Sequence, residues 1–118
     1  MKPITLIIGL LVAGCGTLTP KEKLREKVVG EYEFKRGDST LRAVFLENDV
    51  YEWYINGKKE PESKWSIVDG EIQAKNDSGF ILVYRINADK SITSIAEISS
   101  DGERTTYTSD GTTFIKIK

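Results

Sequence analysis

The 118-residue chain has no histidine, a single cysteine, three prolines and a net charge of only −1. Each shortage removes a class of function. Without histidine or a second cysteine there is no Cys/His zinc site, no haem axial histidine, no Ser-His-Asp triad and no internal disulfide. A balance of 17 basic against 18 acidic side chains gives no electrostatic footprint for DNA or RNA. Long apolar runs are also missing. The longest, Ile4 to Val12, is interrupted by Thr5 and Gly9 and falls short of the ~20 residues that a ~30 Å hydrocarbon core demands of a spanning helix. Acid–base catalysis would fall to carboxylates, lysine or tyrosine, and most of the acids sit in turns or on polar strand faces, as Glu31 with Glu33 and Glu60 with Glu62 do. Asn76-Asp77-Ser78-Gly79 lacks the spaced acids of a calcium loop and reads as a turn. The expectation is therefore a non-enzyme with no metal and no cofactor.

What is present begins with an export signal. Lys2 supplies a positive start, the Ile4 to Val12 stretch the apolar middle, and Leu11-Val12-Ala13-Gly14-Cys15 ends it with two small residues before the only cysteine. This segment resembles the lipobox of bacterial lipoproteins. The resemblance implies cleavage between Gly14 and Cys15, a diacylglyceryl group on the Cys15 sulfur and, in many bacteria, an acylated new amine. Two or three acyl chains make a durable anchor where one does not. Gly16 after the cysteine, in place of Asp, implies the outer rather than the inner membrane in a Gram-negative host. Removing residues 1–14, Lys2 among them, leaves 104 residues with 16 basic and 18 acidic side chains, a formal charge of −2.

Residues 15–19 form a short tether, in which Gly16-Thr17-Leu18 at ~3.5 Å per residue hold the rest within about 10 Å of the headgroups. A helix is expected from Pro20 to Val28 or Val29, with Thr19 as N-cap, Pro20 in the first turn and Glu22 completing a capping box. Lys21, Lys23, Arg25 and Lys27 outnumber Glu22 and Glu26 there. That excess suits either anionic headgroups or an ordinary solvated helix with Leu24 and Val28 packed inward.

From Gly30 the hydrophobic period changes from helical to two, and turn signals recur: Arg36-Gly37-Asp38, Asn48-Asp49, Asn56-Gly57, Asp69-Gly70, Asn76 to Gly79, Asn87 to Lys90, Asp101-Gly102 and Asp110-Gly111. They bound up to nine strands at 29–36, 40–47, 50–55, 61–68, 71–76, 80–86, 91–99, 103–108 and 112–117. So many short strands leave exposed edges unless they close, so residues 20–118 are expected to form a helix plus an all-β antiparallel meander of about eight to nine strands closed into a small barrel. Alternation places inside it Tyr32, Phe34, Leu41, Ala43, Phe45, Tyr51, Trp53, Ile55, Trp65, Ile67, Ile72, Ala74, Phe80, Leu82, Tyr84 and Ile86, completed by Ile92, Ile98, Ile115 and Ile117. This many large side chains predicts a filled interior. Phe80 to Tyr84 is apolar on both faces, as is the strand with Val44 and Leu46, so an outer cover is expected: the N-terminal helix, favoured because it lies in the same chain, a second copy, or a partner.

Gly30-Glu31-Tyr32 after a short helix, where lipocalins have Gly-x-Trp, and the Lys64 to Ile72 hairpin resemble small bacterial lipocalin-like or calycin-like envelope domains. That resemblance implies a barrel over residues 28 to 118. Trp53 to Glu60 followed by Lys64-Trp65 is similar to one unit of MORN-type hairpin repeats, but a repeat architecture needs at least three copies to bury a core, and one is present. Exposed Tyr54, opposite in face to Tyr51 and Trp53, with Lys58 and Lys59 beside it, is the candidate interaction surface. Two functions follow as expectations: a membrane-anchored envelope lipoprotein that serves as a non-catalytic protein-interaction module docking an envelope protein, or a binder of a small hydrophobic ligand inside the barrel.

Overall fold

The computed structural model of the protein describes residues 19–76, 78–109 and 111–118. The signal segment, the cleavage site at Gly14 and Cys15, and the tether before Thr19 lie outside them, as do Asp77 and Asp110 in two of the turns. One helix, α1 (Pro20–Val28), precedes ten strands: β1 (Gly30–Arg36), β2 (Ser39–Phe45), β3 (Val50–Ile55), β4 (Lys58–Lys59), β5 (Ser63–Val68), β6 (Glu71–Lys75), β7 (Ile81–Ile86), β8 (Ile92–Ile98), β9 (Arg104–Thr106) and β10 (Thr113–Lys116). The helix starts where its capping chemistry dictates. The Glu22 amide donates to the Thr19 hydroxyl at 3.1 Å, and the Thr19 amide donates to the Glu22 carboxylate at 2.9 Å, so two of the orphan donors of the first turn are satisfied.

The strands run antiparallel in the order β1-β2-β3-β5-β6-β7-β8, and β10 joins β8 to β1 and closes an eight-stranded barrel. Two short strands stand off this ring, β4 on β3 and β9 on β8. Closure removes the edges that a meander would otherwise expose. The hairpins use the anticipated turn residues: Asn56-Gly57 and Asp69-Gly70 each place both central residues at positive φ, as a type I′ turn requires.

Aromatic rings fill the interior. Phe45 is fully buried and lies 5.6 Å from Tyr32, 5.0 Å from Tyr51, 5.3 Å from Trp65 and 6.3 Å from Tyr84 between centroids, and Phe114 continues the stack to Tyr84, Trp53 and Phe34. The edge-to-face pairs among them, such as Phe45 with Tyr32 and Trp65, each add about 0.5–1.5 kcal/mol beyond the area they bury. Tyr32 donates its hydroxyl proton to the Val28 carbonyl at 2.7 Å and so ties the barrel to the end of α1.

Five expected interior residues lie elsewhere. Ile115 is 57% exposed and Ile117 42%, while Phe114 takes the inward position. The inward row of β10 is Phe114 and Lys116, and the lysine there turned the apolar alternation by one residue. Its ammonium lies 5.8 Å from the centre of the Tyr32 ring and donates to the Lys27 carbonyl at 2.7 Å. Ile98 pairs with Ile81 on the outer face, because the ladder slips between Val83 and Tyr84 and adds one residue to β8, which reverses inside and outside beyond it. Phe80 belongs to the turn before β7 and Ile55 to the barrel rim, about 40% exposed each.

α1 packs on the interior cluster through Leu24, Val28 and Val29, and the outer face of β7 and β8 carries a different contact. Arg104 of β9 reaches across β8 and β7 to grip Glu71 of β6 with both guanidinium nitrogens, at 2.9 and 3.3 Å, on the face where Val83 and Ala96 are fully buried.

Burial also sets the alkaline limit of the fold. It pushes Tyr84 and Tyr32 up to about 12 and Tyr51 well above its ordinary value of 10. A tyrosine whose folded pKa is raised contributes stability that is complete below pH 10 and is lost as pH climbs through 12. Titration by tyrosinate absorbance should therefore show these three ionising together with loss of near-ultraviolet circular dichroism. Ionisation near pH 10 in a chain that keeps its near-ultraviolet signal would contradict this.

Candidate functional site

The two ends of the barrel differ in chemistry. At one end α1 lies over the β2–β3, β5–β6 and β7–β8 turns. Leu24, Val28 and Val29 pack on the interior cluster, and the Arg25 guanidinium stands 4.3 Å over the Trp65 ring while bonding Asp49 and the Glu47 carbonyl. Trp65 in turn donates its indole N–H to the Leu46 carbonyl at 2.9 Å. This end is plugged.

The β1–β2, β3–β4, β6–β7 and β8–β9 turns alternate with those and occupy the opposite end, which has no helix over it. There the inward row Phe34, Leu41 and Ile55 runs across three paired strands and becomes more exposed toward Ile55. The wall also parts. β3 pairs with β5 only at Val50↔Lys64 and Tyr51↔Ser63, because the β4 hairpin occupies the β3 edge at Tyr54 and Ile55. Glu60 and Pro61 carry the chain across the gap, the Glu60 amide donating to the Trp53 carbonyl at 2.8 Å. The result is an open cleft of about 270 Å3 with Tyr51, Trp53, Ile55, Pro61 and Leu82 as its apolar lining and Glu60, Ser63 and Asn76 as its polar one. Asn76 has no carbonyl to spare, since its side-chain oxygen accepts from the Ser78 amide and hydroxyl and the Phe80 amide.

The residues singled out from the sequence lie beside this mouth. Tyr54 is on the outer face of β3 and donates to the Glu52 carboxylate at 3.1 Å; desolvation, then that bond, holds its pKa above the usual value. Lys59 binds Glu62 at 2.6 Å and Glu52 at 3.1 Å, and these bonds hold its ammonium well above the usual lysine range and Glu62 below the usual carboxylate range. Tyr54 and Lys59 thus brace the β3–β4 hairpin through one shared carboxylate. Lys58 is exposed and pairs in register with Ile55 on the rim.

The alternation singled out Trp53 and Ile55 as interior positions but gave no sign of the cleft, because it arises from the two-residue strand β4. Asn56-Gly57 signalled the turn that makes it. Among the described residues no three carboxylate or cysteine side chains gather closely enough to hold a metal ion. No protein-family model, curated protein or solved structure matches this chain.

Proposed function

We propose that the protein is a lipid-anchored envelope lipoprotein of lipocalin-like build, attached to the membrane through Cys15 and serving as a non-catalytic module whose open barrel mouth docks an envelope protein. The observation that carries this reading is the contrast between an interior packed with rings and a mouth whose apolar rim is exposed. A filled barrel offers its partner a surface, not a cavity, and an open apolar cleft with Ile55 exposed at its rim can take a partner's side chain. Lys58 adds a charge at that rim, with Tyr54 and Lys59 fixing the hairpin that carries it. Because α1, which follows the tether in sequence, packs on the plugged end, an anchor at Cys15 would hold that end toward the membrane and the mouth away from it.

The alternative, a small hydrophobic ligand, has the cleft in its favour. Its volume of about 270 Å3 falls below the ~300–1,000 Å3 of sites that enclose a free ligand. It fits a partner's side chain better.

Two substitutions in cells test the reading together. Wild type should stay with membranes in high salt and Cys15→Ala should become soluble or remain unprocessed; identical fractionation would refute the anchor. A photo-crosslinking residue at Ile55 should give discrete protein adducts, and one at Ile115 on the outer wall should give none. Equal adducts at both, or none at Ile55, would refute the mouth as docking end.

A further inference from the structure

The plugged end has its own unpartnered surface. α1 is divided by charge along its length. On one flank Glu22 and Glu26 face Glu47, with Arg25 between them. On the other, grooves of about 460 and 470 Å3 run between the helix and the β5–β6 and β7–β8 turns, and both include Leu24 and Gly70. Their floor is apolar, with Leu24, Val68 and Ile86, and their rim carries Lys21, Lys27 and Lys90. Asp69 is the one acid on these grooves. Asp89, in the adjoining turn, is occupied by the Ser91 amide and hydroxyl.

At this end Arg25 meets Asp49, whereas Lys21, Lys23, Lys27, Lys90 and Lys116 meet no carboxylate among the described residues; Arg36, Lys58, Lys64 and Lys75 elsewhere share that property, but Lys21, Lys27 and Lys90 border an apolar floor. Lys116 lies close enough to Lys90 to feel its charge, which, after burial, lowers its hold on its proton. Unneutralised ammonium groups over an apolar floor suit a ligand with negative charge outside and hydrocarbon inside. The chain adds a second argument. Pro20 borders this groove, and in the sequence only four residues separate it from Cys15.

We propose that the groove flank of α1 is a docking face for an anionic phospholipid surface, with headgroup phosphates among Lys21, Lys27 and Lys90. Its orientation toward the membrane rests on the anchor proposed at Cys15, but the binding chemistry does not. With this face down, a domain of net charge −2 meets an anionic bilayer by its unpaired lysines and keeps the mouth outward.

Residues 19–118 contain every strand of the closed barrel and the docked helix, so vesicle binding can be measured without a lipid anchor. The domain should co-sediment with vesicles of phosphatidylcholine containing phosphatidylglycerol, less so as salt rises, and not with phosphatidylcholine alone. A juxtamembrane lysine raises partition about fivefold, so Lys27→Gln with Lys90→Gln should weaken binding about 20- to 30-fold. Lys64→Gln with Lys75→Gln, exposed on the paired strands β5 and β6, should leave it unchanged. Near-ultraviolet circular dichroism checks that each variant is folded. Equal binding to both vesicle types, no binding to either, or indifference to Lys27 and Lys90 would overturn the proposal. Such a result leaves the fractionation of Cys15→Ala as a separate measure of the anchor.

Discussion

Phe45→Ala is expected to cost about 3–5 kcal/mol of folding free energy, close to half the stability of an ordinary domain of this size. Phe45 is the hub of the interior: fully buried, it touches four rings that come from four other strands. Truncation removes its transfer free energy and leaves a void that Tyr32, Tyr51, Trp65 and Tyr84 border. Those rings cannot collapse freely, because Tyr32 is bonded to the Val28 carbonyl and Trp65 to the Leu46 carbonyl. Phe45→Leu keeps most of the volume and should cost about 1–2 kcal/mol. Urea denaturation of both variants gives the comparison. If Phe45→Ala costs less than about 1.5 kcal/mol, the interior is loose, and the case for a packed barrel that docks partners by its mouth weakens in favour of an internal ligand.

The barrel was legible because its signals are local and redundant. A turn such as Asp69-Gly70 imposes positive φ whatever surrounds it, and a period of two along β1 or β5 fixes the inward face once one large residue is placed. The capping box of α1 needs only four consecutive residues. Errors came where a long-range term outweighed a local one. In β10 the packing of Phe114 against Phe34, Trp53 and Tyr84 decides the register, and the flexible stem of Lys116 tolerates the inward row that two isoleucines were expected to fill. In β8 one extra residue reverses the faces, and no residue type marks it. The Arg104–Glu71 contact on the outer face was not legible for the same reason: the two are 33 residues apart, and nothing in either neighbourhood announces the other. The mouth depends on β3 leaving β5 early, a feature of pairing between strands.

Gly30→Ala should be the most damaging single methyl group that can be added at a turn or strand glycine of β1 to β4, costing about 2–4 kcal/mol. Two effects combine. Gly30 has φ of +148°, which L side chains rarely adopt, and an added Cβ would stand 2.3 Å from the Lys118 carbonyl oxygen and 2.8 Å from Cε of Lys116. The lysine side chain can move, but the backbone oxygen cannot do so without loss, because it accepts the Glu31 amide while Ile117 donates back to the Glu31 carbonyl. Those two bonds extend the β1–β10 seam through which the barrel closes. Gly57→Ala separates the terms. It has φ of +82° and nothing within 4 Å of an added Cβ, so it should show the conformational cost alone, about 1 kcal/mol. Thermal or urea unfolding of the two variants reads the difference. Hydrogen exchange at the Glu31 and Ile117 amides should rise in Gly30→Ala and stay unchanged in Gly57→Ala. If the two variants lose the same stability, the close approach at Gly30 is relieved elsewhere, and the C-terminal strand does not hold the barrel shut through it.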